Sequence, residues 1–239
     1  LAPALLGLQA IAAAPALADQ HGWIERICAG EYVPLHLLPA QLEIAADGTL
    51  SGTIPGVLEA DMASHVLAGS TDRYVLIPLT APGVTLAEHP LWDASRRMFD
   101  VNLAGYRVDP ALIVAEGDAA RALHDQLAVS AQLALAADCL GAAQALLAMT
   151  IDYLKTRRQF DRPLAMFQAL KHRVADLKVQ LTAAEALLWS TLAGEPTPLE
   201  MGAMKAHCAR VFRLVAEEAI QLHGGIGLTE EHPCHRFFK

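Results

Sequence analysis

A chain of 239 residues, 54% hydrophobic and 18% charged, is long enough for one or two domains with a substantial core. Its charged fraction is low against the ~25% usual for soluble domains, which predicts surface covered by partner subunits or a cofactor. The net charge of −8, without a block of Lys and Arg, argues against nucleic acid as a partner, and the four dispersed cysteines (Cys28, Cys139, Cys208, Cys234) read as free thiols of a reducing cytoplasm.

The first 18 residues, LAPALLGLQAIAAAPALA, imitate a secretory h-region with a small-residue cleavage site. They lack a basic flank and an initiating Met, and Pro3 and Pro15 punctuate them, so they are read as a structural helix of a longer protein. Asp19 to Gly30 follows as a second helix stopped by Gly30. No apolar run is expected to reach the ~20 residues that span a bilayer, and no membrane partner is expected.

From Leu42 to about Val114 the period changes. The short runs HVLAG, RYVLIPL, MFDVNLAGYRV and ALIV alternate with Ala46-Asp47-Gly48, Ser51-Gly52 and Ala81-Pro82-Gly83, which predict turns between strands. Beyond Glu116 turn signals nearly vanish. Helical spacing runs through Tyr153, again from Ala165 to Ala193, and again from Leu199 to His223, with a short fourth helix expected after Thr229. These helices predict a bundle, and the domains divide as 1–40, a helical remnant, 41–115, a β domain, and 116–239, the bundle.

Two strings in the last domain carry chemistry. Arg157, Arg158 and Arg162 crowd the end of a long helix, where cations suit the negative end of the dipole. An Arg also supplies a planar fork matched to phosphate oxygens, and Phe160 three residues on can cover a ring. In QLHGGIG a helix C-cap accounts for one glycine. Three glycines within four residues further allow a backbone to approach a ligand and offer its amides to a pyrophosphate. His207, Cys208, His223, His232, Cys234 and His235 also cluster in sequence, but no second pair stands at zinc-finger spacing, and no metal site is assigned.

YLKTRRQFDRPLAMFQALKHRVADL followed by AIQLHGGIGLTEEHP resembles the C-terminal domain of the acyl-CoA dehydrogenase family of flavoproteins. The family pattern is roughly Y-x-x-x-R-x-x-F-G-x-x-x-x-x-x-Q, then Q-x-x-G-G-x-G-x-x-x-E. DGTLSGTIPGVLEADMASHVLAG and PLWDASRRMFDVNLAGYRV are similar to its middle β-barrel domain, and Asp161 stands where the family has Gly. The resemblance implies an α+β multidomain fold with a truncated N-terminal helical part, a middle β-barrel and a C-terminal four-helix bundle.

It also implies a cofactor, FAD. By the motif, Arg157 binds its diphosphate and Phe160 and Gln168 contact it, while Gln221, His223, Gly224 and Gly225 reach its adenosine diphosphate. In the family these contacts cross a subunit interface. The family's flavin-holding loop reads roughly Thr-Glu-Pro then Gly-Ser-Asp, with a later Trp-Ile-Thr/Ser strand. After Gly30-Glu31 this chain reads YVPLHLLPAQLEIAA, and no Trp precedes Leu50-Ser51-Gly52. The family's catalytic Glu lies, in most members, beyond the segment matching His235 to Lys239, and in a minority at the position of Ala131. Glu231 matches a different, structural Glu, so no catalytic residue is assigned.

The expectation is therefore half of a FAD site, in a subunit of a bacterial heteromeric α2β2 acyl-CoA dehydrogenase of the steroid side-chain type. TEEHPCHRFFK resembles the T-W-E-H-x-x-H ending of such subunits. The implied partners are a homologous subunit, an acyl-CoA substrate and an electron-transfer flavoprotein or similar acceptor. A flavin-free structural subunit is the competing expectation.

Overall fold

A computed structural model describes residues 2–37, 41–45, 48–69, 72–93 and 95–238. The chain divides into two compact units, Leu1–Ala131 and Gln132–Lys239.

The first unit opens with helices α1 (Ala2–Ala12) and α2 (Gln20–Cys28), followed by β1 (Leu35–His36), β2 (Gln41–Ile44), β3 (Thr49–Leu58), β4 (His65–Gly69), β5 (Arg73–Pro78), β6 (Val84–His89), β7 (Met98–Arg107) and β8 (Ile113–Glu116). They form two four-stranded sheets, β1-β4-β5-β8 and β2-β3-β7-β6. All pairings are antiparallel except β1 with β4. The middle barrel is thus replaced, among the described residues, by two open sheets.

Side-chain alternation explains why β4 and β5 are apolar on both faces. Successive residues of a strand point to opposite sides, and here each side meets a core. Val66, Ala68, Val75 and Ile77 pack with Ile54, Val57, Phe99, Val101 and Leu103 of the other sheet. Leu67, Tyr74 and Leu76 face the opposite way, into a core with Ile11, Trp23, Val33, Leu123 and Leu127. A strand buried on both faces reads as a continuous apolar run, as RYVLIPL does. β7 instead alternates, with Phe99, Val101 and Leu103 buried and Met98, Asp100 and Asn102 half-buried.

Ser51-Gly52, expected as a turn, lies inside β3. Its pairing with β7 shifts register between Leu50 and Gly52, and Gly52 has φ +132°: the glycine makes a bulge, not a chain reversal. Ala81-Pro82-Gly83 does turn the chain, with Val84 N–H donating to the Ala81 carbonyl at 3.1 Å. A Cβ on Gly83 would stand 2.5 Å from the Ala104 carbonyl oxygen. The Ala46-Asp47 part of the remaining turn, and 38–40 within the stretch compared with the flavin loop, lie outside the described residues.

The second unit is helical. α3 (Gly117–Thr156) contains the boundary between the units, and α4 (Gln168–Ala193) and α5 (Pro198–His223) follow a two-residue-stranded hairpin, β9 (Arg158–Gln159) and β10 (Arg162–Pro163). By length and composition α3 is long and apolar enough to cross a membrane, with mean hydropathy 1.6 over its most apolar window; the core helix of a soluble bundle passes the same test. The sequence expectation differed because Gln132, Asp138 and Gln144 interrupt the run.

Leu177, Leu181, Ala184 and Leu188 are the buried residues of α4. On α5 the buried stripe is Met201, Met204, Cys208, Val211, Val215, Ala219 and Leu222, the three-and-four spacing that puts residues on one face. Thr197 and Glu200 form a reciprocal capping box ahead of it, with Pro198 in the first turn, which satisfies two otherwise orphaned amides. The short fourth helix expected after Thr229 is instead a 3₁₀ turn at Pro233–Phe237, so the described bundle has three long helices.

Candidate cofactor site

The site is built where α3 and α5 end. Arg157 leaves α3 with its N–H still donating to Tyr153 O at 2.8 Å, while its carbonyl accepts from Leu164 N–H at 2.8 Å. Those two bonds anchor the hairpin between them. At its tip Phe160 and Asp161 both adopt positive φ, +52° and +62°, the pairing a two-residue hairpin turn of the primed type needs. Asp tolerates that region, whereas an aromatic residue there is strained. The missing family glycine is therefore replaced by a residue that still reaches the left-handed conformation.

The three arginines separate by role. Arg158 donates to the Asp161 carbonyl at 2.6 Å and closes the turn. Arg162 lies over the Phe167 ring at 4.1 Å. Arg157 is exposed, and its guanidinium takes no partner among the described residues, so it keeps its full set of donors. Phe160 is 83% exposed, edge-on to Phe167 at 6.0 Å. Gln168 opens α4, exposed, its Nε2 2.9 Å from His172 Nε2; α4 has no side-chain cap and no acidic residue in its first turn.

At the end of α5 each glycine has a different reason. Gly224 caps the helix with φ +66° and ψ −146°, its N–H donating to the Gln221 and Ile220 carbonyls. Gly227 is buried, and a Cβ there would stand 3.0 Å from both Ile220 O and His223 Cβ. Gly225 has neither constraint: a Cβ would meet nothing within 4 Å, and the residue is exposed. Its backbone is left unscreened by neighbouring atoms. Gln221 is exposed beside it.

His223, taken with these residues on sequence, is placed differently. It is 3% exposed, its Nδ1–H donates to Ala219 O at 2.8 Å, and its ring stacks on Tyr153 at 4.5 Å. Burial, the largest cause, pushes its pKa below 6.5; the bond to Ala219 opposes that and His232 adds to it. The buried ring thus lies between Tyr153 and His232, 4.5 and 4.4 Å from their rings. Tyr153 completes the link: its hydroxyl donates to the His223 carbonyl at 3.2 Å, joining the end of α3, one turn before Arg157, to the residue before Gly224. Tyr153 was legible only as the first letter of the arginine motif.

Of the histidines and cysteines that cluster in sequence, the fold groups His223, His232 and Cys234. His207 sits elsewhere on α5 beside Arg210 at 3.3 Å, Cys208 faces Met204, and the four cysteines are free. Ala131 is half-buried on α3 and Glu231 exposed.

Residues 121–239 match the family described as acyl-CoA dehydrogenase, C-terminal domain. The chain is 34% identical over 204 residues to the acyl-CoA dehydrogenase IpdE2 of Mycolicibacterium smegmatis, covering 83% of this chain and 60% of that protein. It spans about a third to three fifths of the length of the curated relatives it first matches. Among solved structures it superposes on a ChsE4-ChsE5 complex from Mycobacterium tuberculosis with TM-score 0.82 at 25% identity, over 98% of this chain and 67% of that one. A glutaryl-coenzyme A dehydrogenase bound to glutaryl-CoA gives TM-score 0.88 at 19% identity, over 99% and 68%, which establishes the same fold.

Proposed function

The chain belongs to the acyl-CoA dehydrogenase family, and from that membership we propose that it is a subunit of an FAD-dependent enzyme that desaturates an acyl-CoA thioester between Cα and Cβ. It contributes half of a FAD site across an interface with a homologous subunit, and an electron-transfer flavoprotein or similar acceptor reoxidises the assembly. The substrate class is a steroid side-chain CoA ester, a reading supported by superposition on the Tcur3481-Tcur3483 steroid ACAD, at TM-score 0.84 and 28% identity. The assembly is an α2β2 heterotetramer of the cytoplasm, in which residues 41–115 and 116–239 act as the middle and C-terminal domains.

One observation carries this reading. The Tyr153–His223 hydrogen bond brings Arg157, a cation with no side-chain partner among the described residues, and Gly225, a glycine with open space, onto adjoining helix ends. Both suit a pyrophosphate: Arg157 offers a bidentate fork, and Gly225 leaves its backbone unscreened. Phe160, held outward by the hairpin, supplies an apolar face, and Gln168 and Gln221 supply amides. His223 orients the loop. FAD bound there would accept the β-hydride once an α-proton is removed, and no residue of this chain is assigned to that proton.

Arg157→Ala weakens FAD binding by the assembly roughly ten- to hundredfold, since hydrogen bonds to charged groups contribute about 1.5–3 kcal/mol, and so lowers its occupancy; flavin absorbance of the gel-filtered complex measures it. Unchanged occupancy removes Arg157 from the site. A second reading, a flavin-free assembly subunit, rests on the stretch after Gly30-Glu31, which lacks the family's flavin-holding residues; a colourless complex that is still assembled supports it.

A further inference from the structure

The sequence offers no second ligand pair near His232-Pro233-Cys234-His235, but the fold supplies a ligand from α5. Ligand atoms of His223, His232 and Cys234 all lie within 4.8 Å of one another. His223 and Cys234 are buried, and His232 is half-buried, leaving a side open for entry. His223 is already oriented as a ligand. Its Nδ1–H donates to the Ala219 carbonyl at 2.8 Å, the kind of backbone bond by which metal-bound imidazoles are held, and this puts the free lone pair on Nε2. That Nε2 is buried and makes no hydrogen bond. A buried polar atom without a partner is destabilising, a cost a cation in the cluster removes.

We propose that His223, His232 and Cys234 bind one zinc-like divalent cation, with water in the fourth position. The donors decide the metal: thiolate and imidazole are the ligands of tetrahedral zinc, while magnesium and calcium call for oxygen. From bond lengths of ~2.3 Å to sulfur and ~2.0 Å to nitrogen, a bound ion needs its ligand atoms about 3.5 Å apart, so the cluster must tighten. His232 and Cys234 lie at the start of a 3₁₀ turn and supply that movement. His232 gives up the 3.2 Å bond its Nδ1 accepts from Cys234 N–H, whichever ring nitrogen ligates. His235 stays outside, donating to the His232 carbonyl at 2.7 Å. The run Gly224 to Leu228 lies between ligands His223 and His232 in the chain, so the ion closes that loop into a ring and fixes the glycines on which the proposed cofactor contact rests. The metal site stands whether or not flavin binds.

The test uses the metal-stripped full chain titrated with Co²⁺ as a spectroscopic probe. One equivalent binds, with thiolate-to-cobalt charge transfer in the near ultraviolet and the intense visible bands of four-coordinate cobalt, and Zn²⁺ displaces it. Cys234→Ala abolishes the charge-transfer band, and both it and His223→Gln weaken cobalt binding by at least the ~10–100-fold that loss of an orienting partner alone causes. Cys208→Ala, at a buried cysteine outside the cluster, leaves binding unchanged. Circular dichroism confirms that each variant is folded, and Cys234→Ser and Cys208→Ser replace the corresponding alanine variant where it is not. Absence of a saturable one-equivalent site, a six-coordinate spectrum without charge transfer, or binding indifferent to both Cys234 and His223 overturns the proposal. Flavin content read on the same samples keeps this outcome separate from that of the FAD reading.

Discussion

Tyr153 and His223 are joined twice: their rings stack at 4.5 Å with 30° between planes, and the Tyr153 hydroxyl donates to the His223 carbonyl at 3.2 Å. Removing the hydroxyl alone separates the two contacts. Tyr153→Phe keeps the stack and loses one hydrogen bond to a carbonyl, so the chain loses about 0.5–1.5 kcal/mol. The urea midpoint falls by that energy divided by the m-value, and FAD occupancy of the assembly falls with it; a variant with unchanged occupancy shows that the bond does not position the glycine loop.

Gly224 and Gly225 separate folding from binding. At φ +66° and ψ −146°, Gly224 occupies backbone space that residues with a Cβ enter at about 1–3 kcal/mol, so Gly224→Ala destabilises the chain by that much. Gly225→Ala meets open space and leaves the melting temperature unchanged, while the added methyl weakens FAD retention if the backbone lies against the cofactor. Equal effects on stability would contradict these separate roles.

The capping box of α5 is a purely structural counterpart. Thr197 Oγ1 accepts from Glu200 N–H at 3.3 Å, and Glu200 returns a bond to Thr197 N–H at 2.8 Å. Thr197→Ala removes the cap at a cost of about 1 kcal/mol, read as a lower unfolding midpoint with flavin binding unaffected per folded molecule.

In the first unit His65 makes stability depend on pH. Its Nδ1 lies 3.0 Å from Ser64 Oγ and 3.9 Å from Glu31, its ring is edge-on to Trp23 at 4.8 Å, and Arg26 covers Trp23. Burial lowers its pKa below 6.5, opposed by Glu31 and assisted by Arg26. The unfolded chain then binds more protons below pH 6.5, so this contribution is complete above 6.5 and drains as pH falls toward the folded value. Thermal midpoints drop between pH 7 and 5, and His65→Gln flattens that part of the profile; an unchanged slope assigns the pH dependence to other groups.

Much of this was legible in the sequence because helical spacing and turn residues act locally. α3, α4 and α5 fall within a few residues of their expected ranges, and Gly224 marks the end of α5. Ser51-Gly52 misled because a glycine that bulges a strand and one that turns it look alike in sequence; only the pairing with β7 tells them apart. The burial of His223 and the roles of Gly225 and Gly227 depend on what packs against them, from residues far along the chain. Tyr153 could have been found by asking which residue, one turn before Arg157, can reach the end of α5. The meeting of His223 with Cys234 has no such local signal, since the glycine run separates them.

The central claim is that this chain completes a FAD site held mainly by a homologous subunit, and flavin stoichiometry tests it most directly. The chain should be purified alone and, separately, with that subunit, and FAD quantified per polypeptide after gel filtration. The account predicts a colourless chain alone and FAD retained at one per pair in the complex. Stoichiometric FAD on the isolated chain, with acyl-CoA oxidation, would contradict it.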